Sequence, residues 1–62
     1  MFGLLTPETL ATVIAELQHA EDMAWMKSRE RLYLDDATMA LVDNVGPEEA
    51  DRMITAAKER IT

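Results

Sequence analysis

From Leu10 onward, apolar residues return every three or four positions: Leu10, Val13, Ile14, Leu17, Ala20 and Ala24, with Leu32 continuing the series. That interval belongs to a helix with one face turned inward. A second set repeats it further on, with Leu34, Leu41 and Val45 sharing one face with Thr38. A third runs through Ala50, Met53, Ile54, Ala57 and Ile61.

Punctuation divides these sets. The only prolines, Pro7 and Pro47, each follow a plausible cap and precede acids, which marks two helix starts. At the first, Thr6 is placed to cap, Pro7 takes the first helical position, and Glu8 meets the positive end of the helix dipole. Leu5 and Leu10 have the spacing of a hydrophobic staple across this start. Gly46 separates the second and third sets, ending one helix and capping the next. The third helix opens on Glu48, Glu49 and Asp51 and closes on Lys58 and Arg60, again in the sense the dipole favours.

No Gly or Pro lies between residues 8 and 45. The first helix is therefore expected to run from about residue 7 to about residue 33, behind an apolar arm at residues 1–6. At 1.5 Å per residue it is roughly 40 Å long, more than a globule of this size is wide. Either it breaks near Lys27–Arg31, or the protein is an elongated hairpin or an oligomer. A short second helix is expected at about 36–45, capped by Asp35 or Asp36. A β-hairpin turning at Asp35-Asp36 is the alternative, but neither aspartate accepts positive φ as glycine does. The third helix is expected at about 47–61. The fold class is all-α: a small two- or three-helix bundle or helical hairpin with a long first helix, expected to be oligomeric.

Size sharpens that expectation. The chain has 62 residues, and a domain of ~60 residues buries only ~60% of its unfolded surface. An enclosed active site has little room, and a partner surface becomes part of the fold. The absence of cysteine removes disulfides and thiolate chemistry. Net charge is −6, from twelve acids against six bases. Nucleic-acid binding needs clustered Lys and Arg, so this balance argues against it, and against anionic membranes. The opening Met1-Phe2-Gly3-Leu4-Leu5 has neither the basic region nor the length of a signal peptide, and no apolar run reaches a membrane span. A cytoplasmic protein is expected.

Charge is also localised. Asp35, Asp36, Asp43, Glu48, Glu49 and Asp51 form an acidic stretch without a base, whereas Lys27, Arg29 and Arg31 make a basic island. The acidic stretch reads as a solvated face or as a docking surface.

Candidate chemistry is sparse. Glu16 and His19 have the i, i+3 spacing used in carboxylate-bridged bundles, but two residues are a common match and no metal or cofactor is expected. A catalytic carboxyl needs a pocket that shifts its pKa, and with one histidine no nucleophile–base–acid set can be assembled. No catalytic residue is assigned. Glu21 and Ser28, seven residues apart, interrupt the first stripe at its margin. Met23, Trp25, Met26 and Tyr33 are more informative. On a continuous first helix Met23 and Met26 fall nearly opposite Leu10, Ile14 and Leu17, so that helix is apolar on two sides. Two short helices cannot cover both, and Met and Trp are favoured at interface cores.

The sequence therefore points to a non-enzymatic protein–protein interaction module: a small acidic adaptor, regulator or inhibitor of a larger complex. Its expected partner-binding residues are Met23, Trp25, Met26, Tyr33, Asp35, Asp36, Asp43, Glu48, Glu49 and Asp51. A homodimer or higher oligomer is expected alongside. Small acidic cysteine-free chains of this kind include phage- or mobile-element-encoded inhibitors, by compositional analogy. The alternatives are an acidic nucleic-acid mimic that occludes a DNA- or RNA-binding site, and a carboxylate–His metal-binding helical oligomer.

Overall fold

A computed structural model describes residues 6–61, and over that stretch it contains three α-helices and no strand. They are α1 (Pro7–Asp22), α2 (Ser28–Val45) and α3 (Pro47–Ile61). The fold is all-α in its three-helix form, and residues 32–42 are helix, not hairpin. The arm at residues 1–5, and with it Leu5 of the staple, lies outside the described residues.

α1 starts as its sequence requires. Thr6 is extended, with φ −70° and ψ 157°, and its Oγ1 accepts the Thr9 N–H at 3.2 Å. Pro7 follows, where a missing N–H costs nothing, and Glu8 sits in the first turn.

The long first helix is not observed. α1 stops at Asp22, about eleven residues before the expected end near residue 33. The Trp25 N–H donates to the Ala20 carbonyl at 2.8 Å and the Ala24 N–H to the Glu21 carbonyl at 3.1 Å. That pair of bonds is the Schellman closure of a helix C-terminus. The closure needs one left-handed residue, and Ala24 supplies it with φ 61°. Glycine usually holds this position; alanine here gives no warning in the sequence.

α2 consequently begins at Ser28 and not near residue 36. Its N-cap is Lys27, whose side chain carries only donors and makes no cap hydrogen bond. The reciprocal half of a capping box is present: Glu30 Oε1 accepts the Lys27 N–H at 3.1 Å. α2 ends at Gly46, where φ is 91° and ψ 158°, a region open almost only to glycine. The Gly46 N–H donates back to Val42 at 2.8 Å, and its carbonyl accepts from Ala50 at 2.9 Å. One residue thus ends α2 and starts α3.

The break resolves the length problem. A helix of 16 residues is about 24 Å long, which fits within extents of 28 × 24 × 17 Å. The radius of gyration, 10.8 Å, is close to the ~10.6 Å expected of a compact 62-residue chain.

α1 packs against both α2 and α3, which touch each other less. The core is Leu10, Ala11, Ile14 and Ala15 of α1, Leu34, Ala37 and Leu41 of α2, and Ala50, Ile54 and Ala57 of α3. Half of these are alanines, whose small side chains let the axes draw together while Leu10, Ile14 and Leu41 fill the centre. Leu17, Met26, Val42, Val45 and Met53 close over the core at its edges. The third stripe thus packs as read, apart from Ile61, which is 36% exposed. The first packs through Leu10 and Ile14 with Ala11 and Ala15 also buried, Val13 and Leu17 are only partly buried, and Ala24 and Leu32 lie beyond the end of α1 and are exposed.

Candidate functional site

The helix break relocates the residues on which an interaction surface was expected. Met23 and Trp25 belong to neither helix but to the α1–α2 connection, where they are 50% and 65% exposed. Met23 and Met26 therefore form no second apolar side of α1, because neither residue rides on that helix. Met26 does not join the surface: it packs on the core as a partly buried residue.

Trp25 has a different neighbour. Its ring meets His19 edge to face, with centroids 5.9 Å apart and planes at 84°. In the Schellman closure Trp25 is the residue after the left-handed one, and His19 lies one turn back. A contact between those two positions is the usual companion of the motif. The exposed tryptophan is thus held by backbone hydrogen bonds on one side and by an imidazole on the other.

A second clamp lies beside it. Arg31 of α2 forms an ion pair with Glu21 of α1, fixing one helix across the break to the next. Glu21 thus has its own partner within the chain, and Ser28 is the exposed first residue of α2. Glu21, Ala24, Met26, Lys27, Ser28 and Arg31 line a shallow cleft of about 290 Å³.

α2 carries the two-sided character that α1 lacks. Leu34 and Leu41 are seven residues apart, just under two turns, and stack on the core. Leu32 and Met39 have the same spacing but are set two residues back, roughly 200° around the helix. They point directly away from the core and are 65% and 67% exposed. Asp36 and Asp43 fall on the same outer strip, also seven apart and exposed. Tyr33, 42% exposed, lies to one side of it, and exposed Asp35 to the other. Sequence reading missed Leu32 and Met39 as surface residues. The signal was the parallel seven-residue spacing of Leu32/Met39 and Leu34/Leu41.

The remaining acids are dispersed. Glu48 and Glu49 open α3, Asp51 follows one turn in, and all three are exposed. Glu49 pairs with Arg52 at 3.2 Å. Among the described residues no group of three or more His, Cys, Asp or Glu is placed to hold a metal ion, with Glu16 exposed and His19 turned to Trp25. No buried side-chain polar atom among them lacks a hydrogen-bond partner, and no helix is long and apolar enough to cross a membrane.

No protein-family model, curated protein or solved structure matches this chain.

Proposed function

We propose that this protein is a non-enzymatic protein–protein interaction module, a small acidic adaptor, regulator or inhibitor that works by docking on larger assemblies and self-associates, most simply as a dimer. One observation carries the reading. Of the large apolar residues exposed among the described ones, Met23, Trp25, Leu32, Tyr33 and Met39 fall on the α1–α2 connection and α2, and only Ile61 lies elsewhere. Exposed apolar side chains scattered singly mean little, but gathered on one region they mark interaction surfaces. Trp25 is the natural anchor, since an aromatic side chain already held in place loses little entropy on binding. Asp35, Asp36 and Asp43, exposed along α2, add steering towards a basic partner.

The acidic-mimic alternative draws on the same carboxylates. It is the weaker reading, because Leu32 and Met39 interrupt the row of Asp36 and Asp43, and Glu49 is neutralised by Arg52.

A photo-crosslinking residue in place of Trp25, with Ala56 of α3 as the control site, tests the proposal in the native cells. A defined adduct with another protein from Trp25, and none from Ala56, is the expected result. Equal labelling from both sites, or none, sinks the reading. An adduct lost between low and moderate salt and competed by DNA or RNA transfers support to the mimic.

A further inference from the structure

We infer that the outer face of the first half of α2 is closed by the same face of a second copy, with the two α2 helices antiparallel and Leu32 against Leu32 at the twofold axis. This rests on the interaction reading only in taking that face to be a binding surface.

The outer strip reads, in chain order, Arg29, Leu32, Asp36, Met39 and Asp43, with Trp25 on the connection before it. Its apolar members on α2, Leu32 and Met39, are seven residues apart, the spacing found on the seam of a two-helix pair. Of its charged members, Arg29 and Asp36 are also seven apart but of opposite sign, one on each side of Leu32. Two copies laid parallel would set Arg29 on Arg29 and Asp36 on Asp36. Antiparallel copies centred on Leu32 set each Arg29 against the Asp36 of the second copy, twice over, with Asp35 within reach beside it. Met39 of each copy then projects past Ser28 of the other, towards the α1–α2 connection that carries Trp25. The helix dipoles oppose one another only in this arrangement. Asp36 and Arg29 are exposed and make no ion pair among the described residues, whereas Arg31, two positions on, is already held by Glu21. The strip is thus self-complementary in one orientation and self-repelling in the other.

Its size sets the strength. With Leu32 at the axis the two α2 helices overlap over residues 28–36, about 14 Å of each helix, so the pair covers well under the ~800 Å² per partner of a standard interface. The dimer belongs to the weak class, dissociating at tens of micromolar or above.

The absence of cysteine makes the geometry directly testable. Leu32→Cys should oxidise to a covalent dimer, because the two positions meet at the axis. Met39→Cys should not, because its two copies are separated by fourteen residues of rise, roughly 21 Å. Ala56→Cys sets the collisional background. Crosslinking through both Leu32→Cys and Met39→Cys means a parallel pair, and crosslinking no faster than Ala56→Cys means no pair; either overturns the proposal. In sedimentation equilibrium, Arg29→Asp and Asp36→Arg should each weaken association roughly three- to tenfold. Combined in one chain they should restore it to within about twofold. A wild-type protein that stays at 7.0 kDa to millimolar concentration, or a combined variant that fails to recover, refutes the arrangement. A monomer that still gives the Trp25 photo-adduct removes the dimer and leaves the interaction module standing; a dimer without that adduct does the reverse.

Discussion

The chain turns twice, and the two corners are built from opposite materials. Between α2 and α3 it turns through a single residue, Gly46, followed at once by Pro47. Between α1 and α2 it takes the five residues Met23–Lys27, with an alanine in the left-handed position and a lysine at the next N-cap. At the first of these corners side-chain chemistry and backbone geometry agree. At the second they conflict, and the geometry is imposed by the packing of Ile14, Ala15, Leu34 and Ala37 on either side. A corner written in Gly and Pro can be placed from sequence, and a corner enforced by the core cannot. The tryptophan sits at the second kind, where strain and exposed apolar surface coincide.

Four substitutions break or sharpen this contrast. The largest effect is expected at Gly46→Ala. A Cβ there meets nothing within 4 Å, so the whole penalty is the cost of φ 91°, about 1–3 kcal/mol. Urea melts should show it as a lower midpoint with an unchanged slope, and an unmoved midpoint would mean the corner has another way round.

The opposite sign is expected for Ala24→Gly, which removes the left-handed penalty and should stabilise by about 1 kcal/mol. For a chain of this size that raises Tm by roughly 4–8 °C. A fall in Tm would show that Ala24 is not left-handed in solution and that α1 does not close there.

Next comes Lys27→Asp, which gives α2 the side-chain acceptor it lacks and replaces a cation at its positive end by an anion. A gain of about 0.5–1 kcal/mol is expected, read by thermal unfolding. A loss would mean that the Lys27 side chain makes a stabilising contact worth more than the cap.

The smallest effect belongs to Glu21→Gln. The ion pair with Arg31 spans the break, but the two side chains are 35% and 61% exposed, so no more than about 1 kcal/mol should be lost, and less at high salt. A larger, salt-independent loss would make this bridge the element that sets the corner.

Much of the surface was legible as an excess. Met23, Trp25 and Tyr33 are too apolar for solvent unless something uses them, and all three are exposed. The reason offered by the sequence was a two-faced first helix, and that reason was wrong. The two-faced helix is α2, through Leu32 and Met39. Met26 was misplaced because its neighbour Met23 looked equivalent on a continuous helix. Once the helix ends, one methionine turns out and the other turns in. Glu48, Glu49 and Asp51 are exposed as expected, but on α3, away from the apolar strip of α2.

By itself the sequence determined the all-α class, the start of α1 at Thr6-Pro7, the Gly46-Pro47 corner, and the buried face of α3. These rest on local physics: capping hydrogen bonds, the fixed φ of proline, the freedom of glycine and a periodic stripe act within a few residues of one another. Only the tertiary structure decided where α1 ends, that residues 32–42 extend a helix begun at Ser28, and which side of α2 faces out. Those outcomes depend on contacts between distant positions. Burying Leu34, Ala37 and Leu41 against α1 and α3 requires the chain to fold back after about 24 Å of helix, and that gain outweighs one alanine held at positive φ.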